Sequence, residues 1–252
     1  MPVYEPSHVE YGITNGHIQV VGEDGSSIPA YWAHPVMGRL FPAVALVHDW
    51  WGITPTIRRM AHLFAQSGYY VIVPDLFEGH VANTPQEAME LVKRLGDKGY
   101  PRIDAALSAL EHHHNTNGDV AAVGVGMGGS LAFEAAIVRA DLEAAVSYYG
   151  FPQRYFSRFS EATTPILAIY GDHEPHVPVD LIDKLRTVLS HSKHNVQHEL
   201  LILPNAARDF FMHDASAAAQ QNSMQALNAT FAFLEKYLQG PSHPPPSKLK
   251  PR

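Results

Sequence analysis

Six apolar runs, "FPAVALVH", "YYVIVP", "VAAVGVG", "EAAVSYYG", "PILAIYG" and "HELLILP", recur through the middle of the chain and constrain its fold more than any other feature. They are apolar throughout, not alternately, which is the pattern of strands buried on both faces. Between them lie segments of helical period: 100–112, 179–189, and the series Met224, Leu227, Phe231, Leu234 and Leu238. Strand and helix in alternation predict an α/β protein with a mostly parallel wound sheet, right-handed crossovers and helices on both faces. Ahead of them, "HIQVVGEDGSSIPAYWA" reads as two short strands around Gly, Asp and Ser turn chemistry, an antiparallel hairpin leading into the sheet.

With 252 residues, 46% of them hydrophobic, the chain can close one substantial core, and a single domain over 1–239 is expected. The last stretch, "GPSHPPPSKLKPR", is too rich in proline to pack, so 240–252 is expected to be a disordered tail. A net charge of -7 with scattered Lys and Arg gives no footprint for nucleic acid and no cationic face for a membrane. The absence of cysteine excludes disulfides and Cys-based zinc sites. No signal peptide or membrane span is read from the sequence, and a cytoplasmic location is expected. Oligomeric state is left open.

"GVGMGG", Gly124 to Gly129, follows a strand and opens a helix, the setting of a nucleophile elbow, G-x-S-x-G, yet glycine stands at its centre. Alone, such a turn also suits phosphate binding or plain packing. Three further segments sharpen it: "ALVHDWWGITPTIRRMAHLFAQSGYYVIVPDLFEG", "AIYGDHEPHVP" and "LPNAARDFF". With these and "VGVGMGGSLAFEAA", the chain from about Val20 to about Leu238 resembles the dienelactone hydrolase family of the α/β-hydrolase fold. The resemblance places the family's nucleophile at Gly126, its acid at Glu174 and its histidine at Arg208. Glutamate can replace aspartate in orienting an imidazole. Glycine has no nucleophilic atom, and a guanidinium cannot act as a base near neutral pH.

What the resemblance leaves in place is the pair of oxyanion donors, the backbone N–H groups of Met127 and Trp50. It also implies a pocket lined by Asp49, Trp50, Trp51 and Tyr149. An anion is expected to approach Gly126 closely, with Arg208 as a planar cation nearby. Equally, Arg208 is expected to pair with Glu174 as a structural salt bridge. Asp49, at the position of a family glutamate that contacts the nucleophile, is expected to pair with Arg208 or stay solvated. Gly79 stands near the place where carboxylate-binding members carry an arginine. Among sixteen histidines, those at 112–114, His191, His194 and His198 lack metal-ligand spacing, and only His173, Glu174 and His176 share a loop near the site. No metal and no cofactor are expected. Ser130, His213 and His48 are the candidates for a relocated nucleophile and base. The reading is a non-catalytic or weakly catalytic protein with a degenerate triad that binds a small anionic or carbonyl-containing ligand. The alternatives are a hydrolase with a relocated mechanism and an interaction protein that uses its surface or tail.

Overall fold

A computed structural model describes residues 10–22, 25–36, 38–194, 196–208, 210–211 and 217–242. Its strands are β1 (Ile13–Val21), β2 (Ser27–Pro35), β3 (Phe41–Val47), β4 (Tyr70–Pro74), β5 (Thr116–Val125), β6 (Ala144–Tyr148), β7 (Ile166–His173) and β8 (Glu199–Ala207). The helices are α1 (Pro55–Gln66), α2 (Pro85–Leu95), α3 (Gly99–Glu111), α4 (Met127–Val138), α5 (Val179–Leu189) and α6 (Ala217–Tyr237). All eight strands form one sheet in the order β1-β2-β4-β3-β5-β6-β7-β8. The hairpin β1–β2 is antiparallel, as its turn chemistry predicts, and β2 meets β4 antiparallel; every later pairing is parallel. This is the α/β-hydrolase fold.

Central strands follow from the apolar runs: every residue of β3, β4 and β6 is buried, whereas β1, at the sheet edge, alternates toward solvent. Helices cover both faces. Phe64 of α1 packs on Phe231 of α6, with ring centroids 5.0 Å apart, on one side. On the other, α3 lies against α4, where Leu131 closes over Gly99. Helix α1 starts on Thr54, whose hydroxyl accepts from Ile57 N, and Pro55 follows at the first helical position. Helix α2 starts on Thr84 with a reciprocal bond from Asn83 N to Glu87 Oε2, a closed capping arrangement. Helix α4 has no side-chain cap of its own. Its first turn is pressed so close to β3 that a Cβ on Gly128 would lie 2.3 Å from Val47 O.

The tail departs from expectation at its start. Ser242 forms an antiparallel bridge with Leu40, through two bonds of 2.8 Å, so 240–242 are held against the domain. The remainder, 243–252, lies outside the described residues, as does His213. Among the described residues, no helix is long and apolar enough to cross a membrane.

Candidate active site

The parallel strands deliver five site positions from their C-terminal ends, where ligands of open α/β sheets gather: Asp49 after β3, Gly126 after β5, Tyr149 after β6, Glu174 after β7 and Arg208 after β8. Gly126 forms the elbow, with φ +55° and ψ −110°, in the left-handed half of backbone space that an L side chain enters only under strain. Directly above it lies the Asp49 carboxylate. Asp49 Oδ1 accepts from Trp50 N at 2.7 Å and from Met127 N at 2.8 Å, the two N–H groups expected to face an oxyanion. A Cβ on Gly126 would sit 2.2 Å from Oδ1 and 2.4 Å from Oδ2, so the carboxylate stands where a nucleophile's side chain would be.

This corrects two expectations. Asp49 is buried, at 7% exposure, and not solvated. The space for an outside anion above Gly126 is filled from within the chain. The physical reason lies in α4: its N-terminal N–H groups lack a local acceptor, and a carboxylate from β3 supplies one while meeting the positive end of the helix dipole. His48 fixes the backbone at this point. Its Nδ1 bonds Asp49 O at 2.7 Å and its Nε2 accepts from Leu76 N at 3.0 Å. Burial pushes the His48 imidazole below its ordinary range. With both ring nitrogens bound to backbone, His48 is not a base for the site.

The pairing of Arg208 with Glu174 follows from strand register, since His173 of β7 pairs with Ala207 of β8 and the next residues of both strands meet. Arg208 Nη1 donates to Glu174 Oε1 at 3.3 Å, and the two side chains are 11% and 1% exposed. Glu174 Oε1 also accepts from His176 N at 2.9 Å, while Oε2 is buried with no hydrogen-bond partner among the described residues. The guanidinium lies over the rings of Tyr149 and Phe151, 4.9 and 4.5 Å from their centroids. Tyr149 is fully buried at φ +40° and forms the platform for Arg208, not a ligand wall as expected.

In front of these strand ends opens a cavity of about 800 Å³, lined by Asp49, Trp50 and Trp51 together with residues of α2, α3 and α4 and the segment after β6. Ser130 is on its wall and not in the packing behind, but its hydroxyl donates to Gly126 O at 3.3 Å and accepts from Phe151 N at 2.8 Å. No imidazole is bonded to Ser130 among the described residues. Gly79 has open space around it and no arginine in its place. Asp75 shapes that loop, accepting from Phe77 N and Gly79 N at 3.0 and 2.7 Å. Among the described residues no group of three or more His, Asp or Glu is placed to hold a metal ion.

The sequence model of the dienelactone hydrolase family matches residues 28–238. The chain belongs to this family. A relative, Protein usf of Aquifex pyrophilus, is 26% identical over 227 residues, covering 86% of this chain and 96% of its own. A Saccharolobus solfataricus protein that carries a carboxymethylenebutenolidase name is 23% identical over 251 residues, covering 84% of this chain and 95% of its own. Among solved structures, a Klebsiella pneumoniae protein that carries the dienelactone hydrolase name superposes with a TM-score of 0.79 at 23% identity, over 90% of this chain and 100% of that one.

For this dienelactone hydrolase family member, sequence reasoning named residues at the strand ends and, on α4, Met127 and Ser130, and missed Leu131 and Glu134 in the cavity wall. Met127, Ser130, Leu131 and Glu134 line it from α4. Their spacing of three, four and seven residues is one helical face, and that period was the signal available. Tyr100, Phe151, Arg154 and Tyr155 also line it, with Tyr155 donating to Glu134 at 3.0 Å. No local pattern marks those four.

Proposed function

We propose that this protein has left the nucleophile, histidine and acid chemistry of its family and uses the retained cavity to hold a small molecule without acyl transfer. One observation carries the reading. The Asp49 carboxylate occupies both oxyanion donors and the place of the nucleophile's side chain, above a glycine that has no reacting atom. An ester carbonyl arriving at this elbow would meet an anion where it needs two hydrogen-bond donors, which raises the barrier to a tetrahedral intermediate. The third position is no better suited, because Arg208 carries no exchangeable base and is engaged by Glu174.

The cavity itself favours retention of a ligand. A volume of about 800 Å³ lies within the range of small-molecule sites, and its walls combine aromatic and aliphatic side chains with a few polar groups. The test is activity-based labelling and ester hydrolysis on the purified chain. A serine-directed fluorophosphonate is expected to leave every serine unmodified, and short-chain aryl esters are expected to hydrolyse at the background rate. Stoichiometric labelling of Ser130, or turnover that persists through repeated purification and disappears in Ser130→Ala, would instead establish a relocated nucleophile.

A further inference from the structure

Beyond the elbow, the cavity runs along α4 into the angle where α2, α3 and α4 meet. We infer that this end is a subsite for an uncharged aromatic group of the ligand, one or two fused rings, and that Leu131 sets its size; the inference rests on the small-molecule reading above.

The base of this end takes one residue from each helix. Leu95 ends α2, Gly99 opens α3 and Leu131 lies on α4, and all three line the cavity. A Cβ on Gly99 would stand 3.3 Å from Leu131 Cδ1 and 3.5 Å from Leu95 Cδ2, so both leucines close on bare backbone. Gly96, also on the wall, has open space where a side chain would be, which leaves width for a flat group. Leu131 follows Met127 by one helical turn, about 6 Å along α4, so the subsite is separate from the Asp49 carboxylate and the N–H groups that bond it. Aromatic rings reach the cavity from three other parts of the chain: Trp50 and Trp51 after β3, Tyr100 in α3 and Tyr155 after β6. The two tyrosine hydroxyls are committed within the protein, Tyr155 donating to Glu134 Oε2 at 3.0 Å and Tyr100 to Asp104 Oδ1 at 3.4 Å. What they offer this space is ring surface. Glu134, the half-buried charge here, is thereby engaged, while Asp97 and Arg154 are exposed. Ring against ring, offset or edge to face, gains more than apolar area alone, which favours an aromatic group over a hydrocarbon chain.

Two uncharged probes test this on the full chain, 2-naphthylmethanol and 1-octanol, followed by calorimetry and saturation-transfer NMR. The naphthyl alcohol is expected to bind at least about threefold more tightly, although 1-octanol is the more hydrophobic. Leu131→Trp, which fills the subsite, is expected to weaken the naphthyl alcohol at least about tenfold. Met89→Trp, on the exposed side of α2 and outside the cavity, is expected to bind it as the unmodified protein does. Binding of 1-octanol as tight as that of the naphthyl alcohol, or a naphthyl affinity unchanged in folded Leu131→Trp, overturns the inference while leaving a binding cavity in place. Equal weakening in Leu131→Trp and Met89→Trp overturns it as well. If neither alcohol binds, the small-molecule reading itself falls. Should Leu131→Trp fail to fold, Val92→Trp, which enters the same space from α2, takes its place with the same expected loss.

Discussion

At the scale of single residues, Gly126 and Asp49 are a matched pair. A side chain at 126 is opposed twice, by a left-handed backbone and by a carboxylate 2.2 to 2.4 Å from where Cβ would be. Gly126→Ala is therefore expected to destabilise the protein by more than the roughly 1–3 kcal/mol of backbone strain alone. Combining it with Asp49→Gly should recover the part due to collision. Urea unfolding of the four proteins in this cycle measures the coupling, and simple additivity would show that the two residues do not share the space. Arg208 and Glu174 call for a second cycle. Arg208→Met strands a buried carboxylate and is expected to cost about 3 kcal/mol, whereas Arg208→Met with Glu174→Leu should cost less. A double variant as unstable as the single one would mean that the aromatic cover of Arg208, not its charge, is what matters. The sequence names all four of these residues through the family motifs. That the Asp49 carboxylate takes both oxyanion donors was not legible, because β3 and β5 bring 49 and 126 together across 76 intervening positions.

At the scale of elements, the helices and strands carry their own instructions to different degrees. Helix α5 runs from Val179 to Leu189 as its period predicts, and α3 from Gly99 to Glu111 lies one residue from its predicted place. Helix α6 begins at Ala217, earlier than its apolar series suggests. Its first turns are rich in Ala and Gln, strong helix formers without the large apolar residues that a periodicity search detects. The histidines at element ends divide by environment. His198, just before β8, accepts from Ile166 N at 3.2 Å, and burial pushes it down to about 4. A histidine held neutral in the fold but ordinary in the unfolded chain contributes stability above about pH 6.5, which is lost as pH falls from there toward about 4. Unfolding midpoints are thus expected to be flat above neutrality and to fall in that window. His198→Asn, which keeps an acceptor for Ile166 N, should reduce the slope by up to about one proton. An unchanged slope would assign it to other buried histidines such as His48, which burial also pushes down.

At the scale of the whole molecule, the sheet gathers the ends of five strands into one site, and a change at one end is answered at another. On the proposed reading, ester hydrolysis at this elbow therefore requires more than a serine and a histidine. Gly126→Ser with Arg208→His sets the serine against the Asp49 carboxylate beside the oxyanion donors and is expected to stay near background in ester hydrolysis. Adding Asp49→Ala frees Trp50 N and Met127 N and is expected to give measurable esterase activity, since nucleophile, base and oxyanion donors act as a unit. Equal rates in double and triple variants, with both folded, would show that Asp49 does not block the elbow. The sequence by itself determined the class of fold, the hairpin entry and the strands, and its resemblance to the family pointed to Gly126, Glu174 and Arg208. Each is written in local pattern: continuous apolar runs, turn residues and a short motif. Only the tertiary structure decided that Asp49 caps α4, that Tyr149 lies beneath Arg208 instead of facing a ligand, and that one face of α4 closes the cavity. Those facts depend on register and on the approach of strand ends distant in the chain, which no local pattern encodes.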